Sequence, residues 1–132
     1  MAILDEDGLL YETDGTGQRV LVRSINSEIR AYLRFTNQTK RPIRVYWRDF
    51  EGAQTFYADI EPDSFYDVNS YITHPWEFQD SHTNEQYYIN NKLIFRAPES
   101  TGGMMYRTNW NVHIGKYKYT NCACIMVATQ WI

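Results

Sequence analysis

An all-β fold is what this sequence predicts: about seven or eight short strands followed by a short C-terminal helix. Three observations carry that expectation. The 132 residues include 11 Tyr, 4 Trp and 6 Phe, and large aromatics suit a pleated, half-buried surface. Apolar and polar residues alternate over several short runs, the period-2 signature of strands with one buried face. Turn residues interrupt those runs about every 8–12 residues, a spacing that fits a sandwich or a small barrel.

Residues 1–21 mix acids with Gly8, Gly15 and Gly17 and are expected to form a poorly ordered N-terminal segment, with Leu9-Leu10-Tyr11 packing loosely. A β domain is expected over 22–115. Ala31, Leu33 and Phe35 alternate with Tyr32, Arg34 and Thr36, giving a first strand. Ile43, Val45 and Trp47 alternate with Arg44, Tyr46 and Arg48, giving a second. With a turn from Asn37 to Pro42 between them, the two are expected to pair as a hairpin. Asn37-Gln38-Thr39 matches a glycosylation sequon but reads as part of that turn, because the acidic start Met1 to Asp7 is no signal peptide. Gln54 to Ile60 and Ser64 to Tyr71 are the next strands, joined by a turn that Pro62 sets. Trp76 and Phe78 face together on a fifth. Pro75 has no N–H to give a ladder, so an edge or bulge is expected there. Gln86 to Asn90 and Lys92 to Ala97 read as two more strands about Asn90-Asn91. Met104 to Ile114 holds a final strand or an extended crossover. Over 116–132 the period changes. Cys124, Ala128 and Trp131 share one helical face, with Thr120 or Asn121 as the cap.

Bulk properties narrow the function classes. The net charge is -3, which argues against nucleic acid as a partner, since phosphates demand a basic stripe. No apolar run reaches the length of about 18 residues that would span a membrane. Cys122 and Cys124 are one residue apart and make no disulfide framework. A cytoplasmic and nuclear protein is expected. His74, His82, His113, Cys122 and Cys124 lack zinc spacing, and there is neither a nucleophile elbow nor a Gly-rich phosphate loop. No catalytic residue, metal or cofactor is expected.

The densest chemistry lies between Trp47 and Trp76. Trp47, Tyr57 and Trp76 can wall a box whose floor is Ser70 and His74. On a strand, His74 and Trp76, two apart, would share a face. Such a box suits a small, uncharged, mostly apolar ring carrying one hydroxyl. The walls give hydrophobic contact, and the floor exchanges hydrogen bonds with the hydroxyl. Trp47 and Trp76 equally suit a core, Trp47 being in phase with Ile43 and Val45. A carbohydrate-binding sandwich uses similar aromatic platforms and is the alternative from another class.

The run Val22-Arg23-Ser24-Ile25-Asn26-Ser27, then Phe35, Val45-Tyr46-Trp47, Phe50-Glu51-Gly52, Tyr57 and Asn69 through Asp80, resembles the β domain of the von Hippel–Lindau tumour suppressor family over about residues 22–98. The resemblance implies a β-sandwich that reads 4-hydroxyproline in hypoxia-inducible factor α, as the substrate-recognition part of an elongin–cullin ubiquitin ligase. It puts the hydroxyproline pocket at Trp47, Tyr57, Ser70, His74 and Trp76, with Ser70 and His74 on the hydroxyl. It assigns flanking-peptide contacts to Asn26, Asn69 and Tyr71. At Asn69 this sequence departs from the family's usual His, and Glu28 departs from a basic residue. The bound peptide is implied to be extended along the sheet. Over 116–132 the resemblance continues into the start of a truncated α domain. Its first helix would meet elongin C, with elongin B, through Thr120, Cys124 and Ala128, Thr120 standing where the family has Leu. The segment that engages the cullin is not found in these residues, so a hydroxyproline-binding module without ligase recruitment is the other expectation.

Overall fold

The computed structural model describes residues 2–115. The expected helix, with Thr120, Cys124 and Ala128, lies outside them. Ten strands make up the described part: β1 (Ala2–Leu4), β2 (Leu10–Thr13), β3 (Arg19–Leu21), β4 (Arg30–Asn37), β5 (Ile43–Arg48), β6 (Gln54–Ile60), β7 (Phe65–Tyr71), β8 (Trp76–Asp80), β9 (Tyr87–Tyr88) and β10 (Thr108–Ile114). A four-stranded sheet in the order β7-β4-β10-β9 faces a three-stranded sheet in the order β6-β5-β8. The two layers form a β-sandwich, as the sequence predicts.

Alternation builds the core. Ala31, Leu33 and Phe35 of β4 and Ile43 and Val45 of β5 are buried, while their neighbours are exposed or half-buried. Phe35 is the centre. Its ring lies 4.9 Å from Phe78, 5.5 Å from Trp76 and 5.8 Å from Phe95, at tilted or edge-on angles that aromatic quadrupoles favour.

The expected hairpin of β4 with β5 is not formed. β4 pairs with β7 antiparallel and with β10 in parallel, whereas β5 pairs with β6 and β8. The buried Asn37 explains why. Its amide nitrogen donates to Arg41 O (2.8 Å) and Ile60 O (2.9 Å), and its Oδ1 accepts from the Thr39 amide and hydroxyl (2.8 and 2.7 Å). This corner carries the chain from one sheet to the other, so the apolar faces of β4 and β5 meet across the core. It also engages both amide hydrogens of Asn37, which leaves that nitrogen unsuited to a glycan.

Residues 2–21 are not irregular. β1, β2 and β3 form an antiparallel meander. The glycines of this segment sit in turns: Gly8 and Gly17 have φ of 80° and 84°, a region that costs glycine little. Asp5 and Asp14 close those turns by accepting backbone N–H groups through Oδ1. The Thr16 hydroxyl, with the Gln18 and Thr16 amides, holds the Asp14 carboxyl below its ordinary range. Leu10, Val22 and Ile94 make a small second core beneath the meander.

That second core also explains a difference over 86–97. The only strand there is β9. Asn90 and Asn91 both adopt positive φ (50° and 62°) in a turn closed by Ile89 and Lys92. Beyond it Ile94 is drawn under the meander, and Phe95 meets Trp76 through a single bridge.

A polar seam ties meander to sandwich. Arg48, 2% exposed, pairs with Glu77, 3% exposed, at 2.5 Å. Its guanidinium also donates to Gly8 O at 2.7 Å and Gly52 O at 3.1 Å, and Gln54 donates to Glu77 at 3.0 Å. On the sandwich's other flank the buried Asp80 resists ionisation by its burial. Hydrogen bonds from Arg41, the His82 and Thr83 amides and the Tyr87 hydroxyl outweigh that and hold it far below the carboxylate range. Burial and the same contact push the Tyr87 hydroxyl up to about 12.

Candidate functional site

The five expected pocket residues come together at one end of the β6-β5-β8 sheet. Trp47 and Trp76 are directly paired across β5 and β8. Tyr57 arrives by a bulge. The β5–β6 register jumps from Val45 opposite Ala58 to Tyr46 opposite Phe56, leaving Tyr57 as the extra residue. Without that bulge Tyr57 would share the outer face with Asp59. Instead Phe56 packs outward on Tyr46, and Tyr57 turns inward, 4.9 Å from Trp76 and 6.0 Å from Trp47, both edge-on. Bulges often re-aim a side chain at a site. Tyr57 stays 40% exposed. Burial raises the pKa of its hydroxyl, which therefore remains a donor at neutral pH.

Trp76 is a core residue as well as a candidate wall. It is 1% exposed and packs on Phe35, while its indole N–H donates to Ser70 Oγ at 3.0 Å. Ser70 is 2% exposed. Because its oxygen already accepts from Trp76, its own O–H is left to donate elsewhere.

His74 lies in the turn that links β7 to β8, not on a strand; its amide donates to Tyr71 O at 3.1 Å. It therefore does not share a strand face with Trp76. Its ring is stacked obliquely on Trp47 at 5.4 Å, with Phe50 at 5.5 Å and Tyr71 at 5.2 Å. Nε2 is 3.0 Å from Asn26 O. A carbonyl oxygen only accepts, so Nε2 carries the proton and Nδ1 presents a lone pair. Burial lowers the pKa of the ring below its ordinary 6.5, and the hydrogen bond to Asn26 only partly offsets this. The imidazole is neutral at pH 7.

A histidine whose folded pKa is depressed leaves the unfolded chain binding more protons below pH 6.5. Both stability and the acceptor character of His74 are thus full above that pH and fall on acidification. Binding of a hydroxyl-bearing ligand is expected to be flat from about pH 8 to 6.5 and to weaken only further down, as the pH passes the depressed folded-state pKa of His74. Titrations across that range, with a His74→Asn variant that lacks the step, check it.

Several residues that hold this arrangement carry no signal in the sequence pattern. The buried Ser24 accepts from the Trp47 indole at 2.8 Å and donates to Arg48 O at 2.7 Å, which fixes the wall. Thr73 Oγ1 accepts from the amides of Ile25 and Asn26, both at 3.2 Å, and donates to Asn26 O. Phe50 adds a further aromatic face. Short polar residues in loops have no periodicity to betray them; only their position in the run from Val22 to Ser27 and next to His74 hints at a role.

Of the flanking candidates, Asn26 and Tyr71 adjoin His74, and Arg30 lies over the Tyr71 ring at 5.5 Å. Asn69 does not adjoin it. It alternates with the inward Ser70, is exposed, and accepts from Arg107 at 3.0 Å on the outer face. Among the described residues no cluster of His, Cys, Asp and Glu is arranged to hold a metal, and no helix is long and apolar enough to cross a membrane.

Fold and site together describe a β-sandwich in which Trp47, Tyr57, Trp76, Ser70 and His74 cluster at one sheet end as a candidate box. The model of the VHL beta domain matches residues 22–103. The chain therefore belongs to the von Hippel–Lindau β-domain family. Protein Vhl of Drosophila melanogaster is 29% identical over 96 residues, covering 69% of this chain and 53% of that protein. The chain spans about half the length of this curated relative.

Proposed function

We propose that this protein is a hydroxyproline reader that delivers a hydroxylated segment of hypoxia-inducible factor α to a ubiquitin ligase, without a catalytic centre of its own. The observation that carries the reading is the opposed polarity of the floor. Ser70 has an O–H to give, and neutral His74 has a lone pair to take. A hydroxyl satisfies both at once, as acceptor from Ser70 and donor to His74. Trp47, Tyr57 and Trp76 supply the apolar walls for the pyrrolidine ring. β6 is an edge strand, with β5 its single partner in the sheet. Its outward N–H and C=O groups offer an extended peptide a strand to pair with beside Tyr57. Asn26 and Tyr71 are the flanking contacts in this reading.

Family membership supports the ligase role, and elongin C, with elongin B, is the proposed partner through Thr120, Cys124 and Ala128. The proposed setting is cytoplasmic and nuclear. The test is capture. The purified chain should be retained by an immobilised hydroxyproline segment of hypoxia-inducible factor α and should pass its proline twin, and elongin B–C should co-purify with it. Capture without elongin B–C would leave a hydroxyproline-binding module that recruits no ligase. Equal retention on both peptides would remove the reading altogether.

A further inference from the structure

Next to the box, on the far side of the turn that carries His74, runs a groove of about 360 Å³. That is in the range of ligand clefts, roughly 300–1,000 Å³. Its walls are Val20, Leu21, Ile25, Ile72 and Ala97. Val20 and Ile25 are 47% and 53% exposed. The apolar surface continues beyond it. A Cβ at Gly102 would come within 2.8 Å of Ile29 and 2.9 Å of Ile72, so these two side chains converge there, and Ile29 is 51% exposed. A contiguous exposed apolar surface of this kind marks a place where something binds.

Two observations say what binds. The groove and the box share a wall. Thr73, which lines the groove, holds the Ile25 and Asn26 amides, and Asn26 O in turn holds His74 Nε2. The groove is therefore within reach of the residues that flank a hydroxyproline seated in the box. The charge at the junction is also uneven. Arg23 lines the groove and reaches toward Phe50 O at 3.5 Å, and the Phe50 ring is 5.5 Å from His74. Its hydrogen bonds go to carbonyls, and among the described residues it has no carboxylate partner. Arg96, by contrast, is neutralised by Glu12 at 2.8 Å, and Glu99 lies on that same stretch.

We infer that the groove is a second subsite for the peptide that fills the box: it takes an aliphatic side chain, and Arg23 at the junction meets an acidic residue lying between that side chain and the hydroxyproline. The inference rests on the hydroxyproline reading and adds the sequence class of the substrate to it. Recognition is then bipartite. The floor of the box reads the modification, and the groove with Arg23 reads an acidic–aliphatic flank.

The experiment is a library of short peptides with a central 4-hydroxyproline and randomised flanks, matched by a proline-centred twin library. Both are bound to the wild-type chain and to Ile25→Asp and Arg23→Glu variants. Wild type should enrich Leu, Ile or Met at one flanking position and Asp or Glu between it and the hydroxyproline. Ile25→Asp should weaken the enriched peptide about tenfold and leave its alanine-flanked version unchanged. Arg23→Glu should replace the acidic preference by a basic one. Hydroxyproline dependence with flat flank preferences, or enrichment that both variants leave intact, overturns the groove and leaves the box standing. Flank enrichment equal in both libraries overturns the box and leaves the groove. No binding from either library overturns both.

Discussion

Replacing Ser70 by Ala is expected to weaken a hydroxyproline peptide about 10- to 100-fold and to leave its proline twin nearly unchanged. Ser70 is buried and its oxygen is engaged by Trp76, so in the proposed site its hydroxyl hydrogen is the donor left for the ligand. Removing the hydroxyl takes away the donor that the ligand oxygen needs. The proline twin never used that donor, so it has little to lose. The substitution also orphans the Trp76 indole N–H, which lowers fold stability by about 1–3 kcal/mol. That cost cancels in the ratio of the two peptides measured on one protein, which is why the ratio, not the affinity, is the readout. Calorimetric titration of both peptides on wild type and variant gives it. An undiminished ratio would take Ser70 out of the floor.

The largest effect on stability is expected from Glu77→Ala. Arg48 and Glu77 are both buried, and Glu77 is the only anion bonded to that guanidinium among the described residues. Without it, Arg48 is left charged against two carbonyl oxygens in a poorly solvated seam. Breaking one partner out of such a pair costs about 3–5 kcal/mol, a large share of the 5–15 kcal/mol that holds a typical domain together, an approximate range. Equilibrium unfolding in urea should show it. The double change Arg48→Met with Glu77→Leu should recover most of the loss, because it removes both charges. The Arg34–Asp67 pair is the control: with 40% and 35% of its side chains exposed, water screens it, and Asp67→Ala should move the midpoint little by comparison.

How much of this was legible in the sequence depends on which physical rule each feature obeys. β4, β5, β6 and β7 were readable because burial on one face writes a period of two into the chain. Their pairing was not, because alternation names a face and not a neighbour. The Asn37 corner, which sends β5 to the other sheet, depends on four hydrogen bonds made by one side chain. The β1–β3 meander was hidden for another reason. Its strands are only three or four residues long, and its Asp and Gly residues look the same in a tight turn as in a disordered tail. Within the site, the composition of the box was legible, since Trp, Tyr, Ser and His in one short stretch is a distinctive set. The inward aim of Tyr57 was not. It follows from a one-residue slip between β5 and β6 that strict alternation would have denied. The placement of His74 in a turn, and the supporting roles of Ser24 and Thr73, likewise come from tertiary contacts between segments about 25 to 50 residues apart.

Central to the proposed function is the joint reading, by Ser70 and His74, of a hydroxyl on a five-membered ring. Its most direct test is a calorimetric titration of the wild-type chain with one hypoxia-inducible factor α peptide in two forms, differing by a single oxygen at the central proline. The hydroxylated form is expected to bind at least about a hundredfold more tightly, because the proline form leaves both floor groups desolvated and unpaired. Superimposable titration curves would contradict the claim.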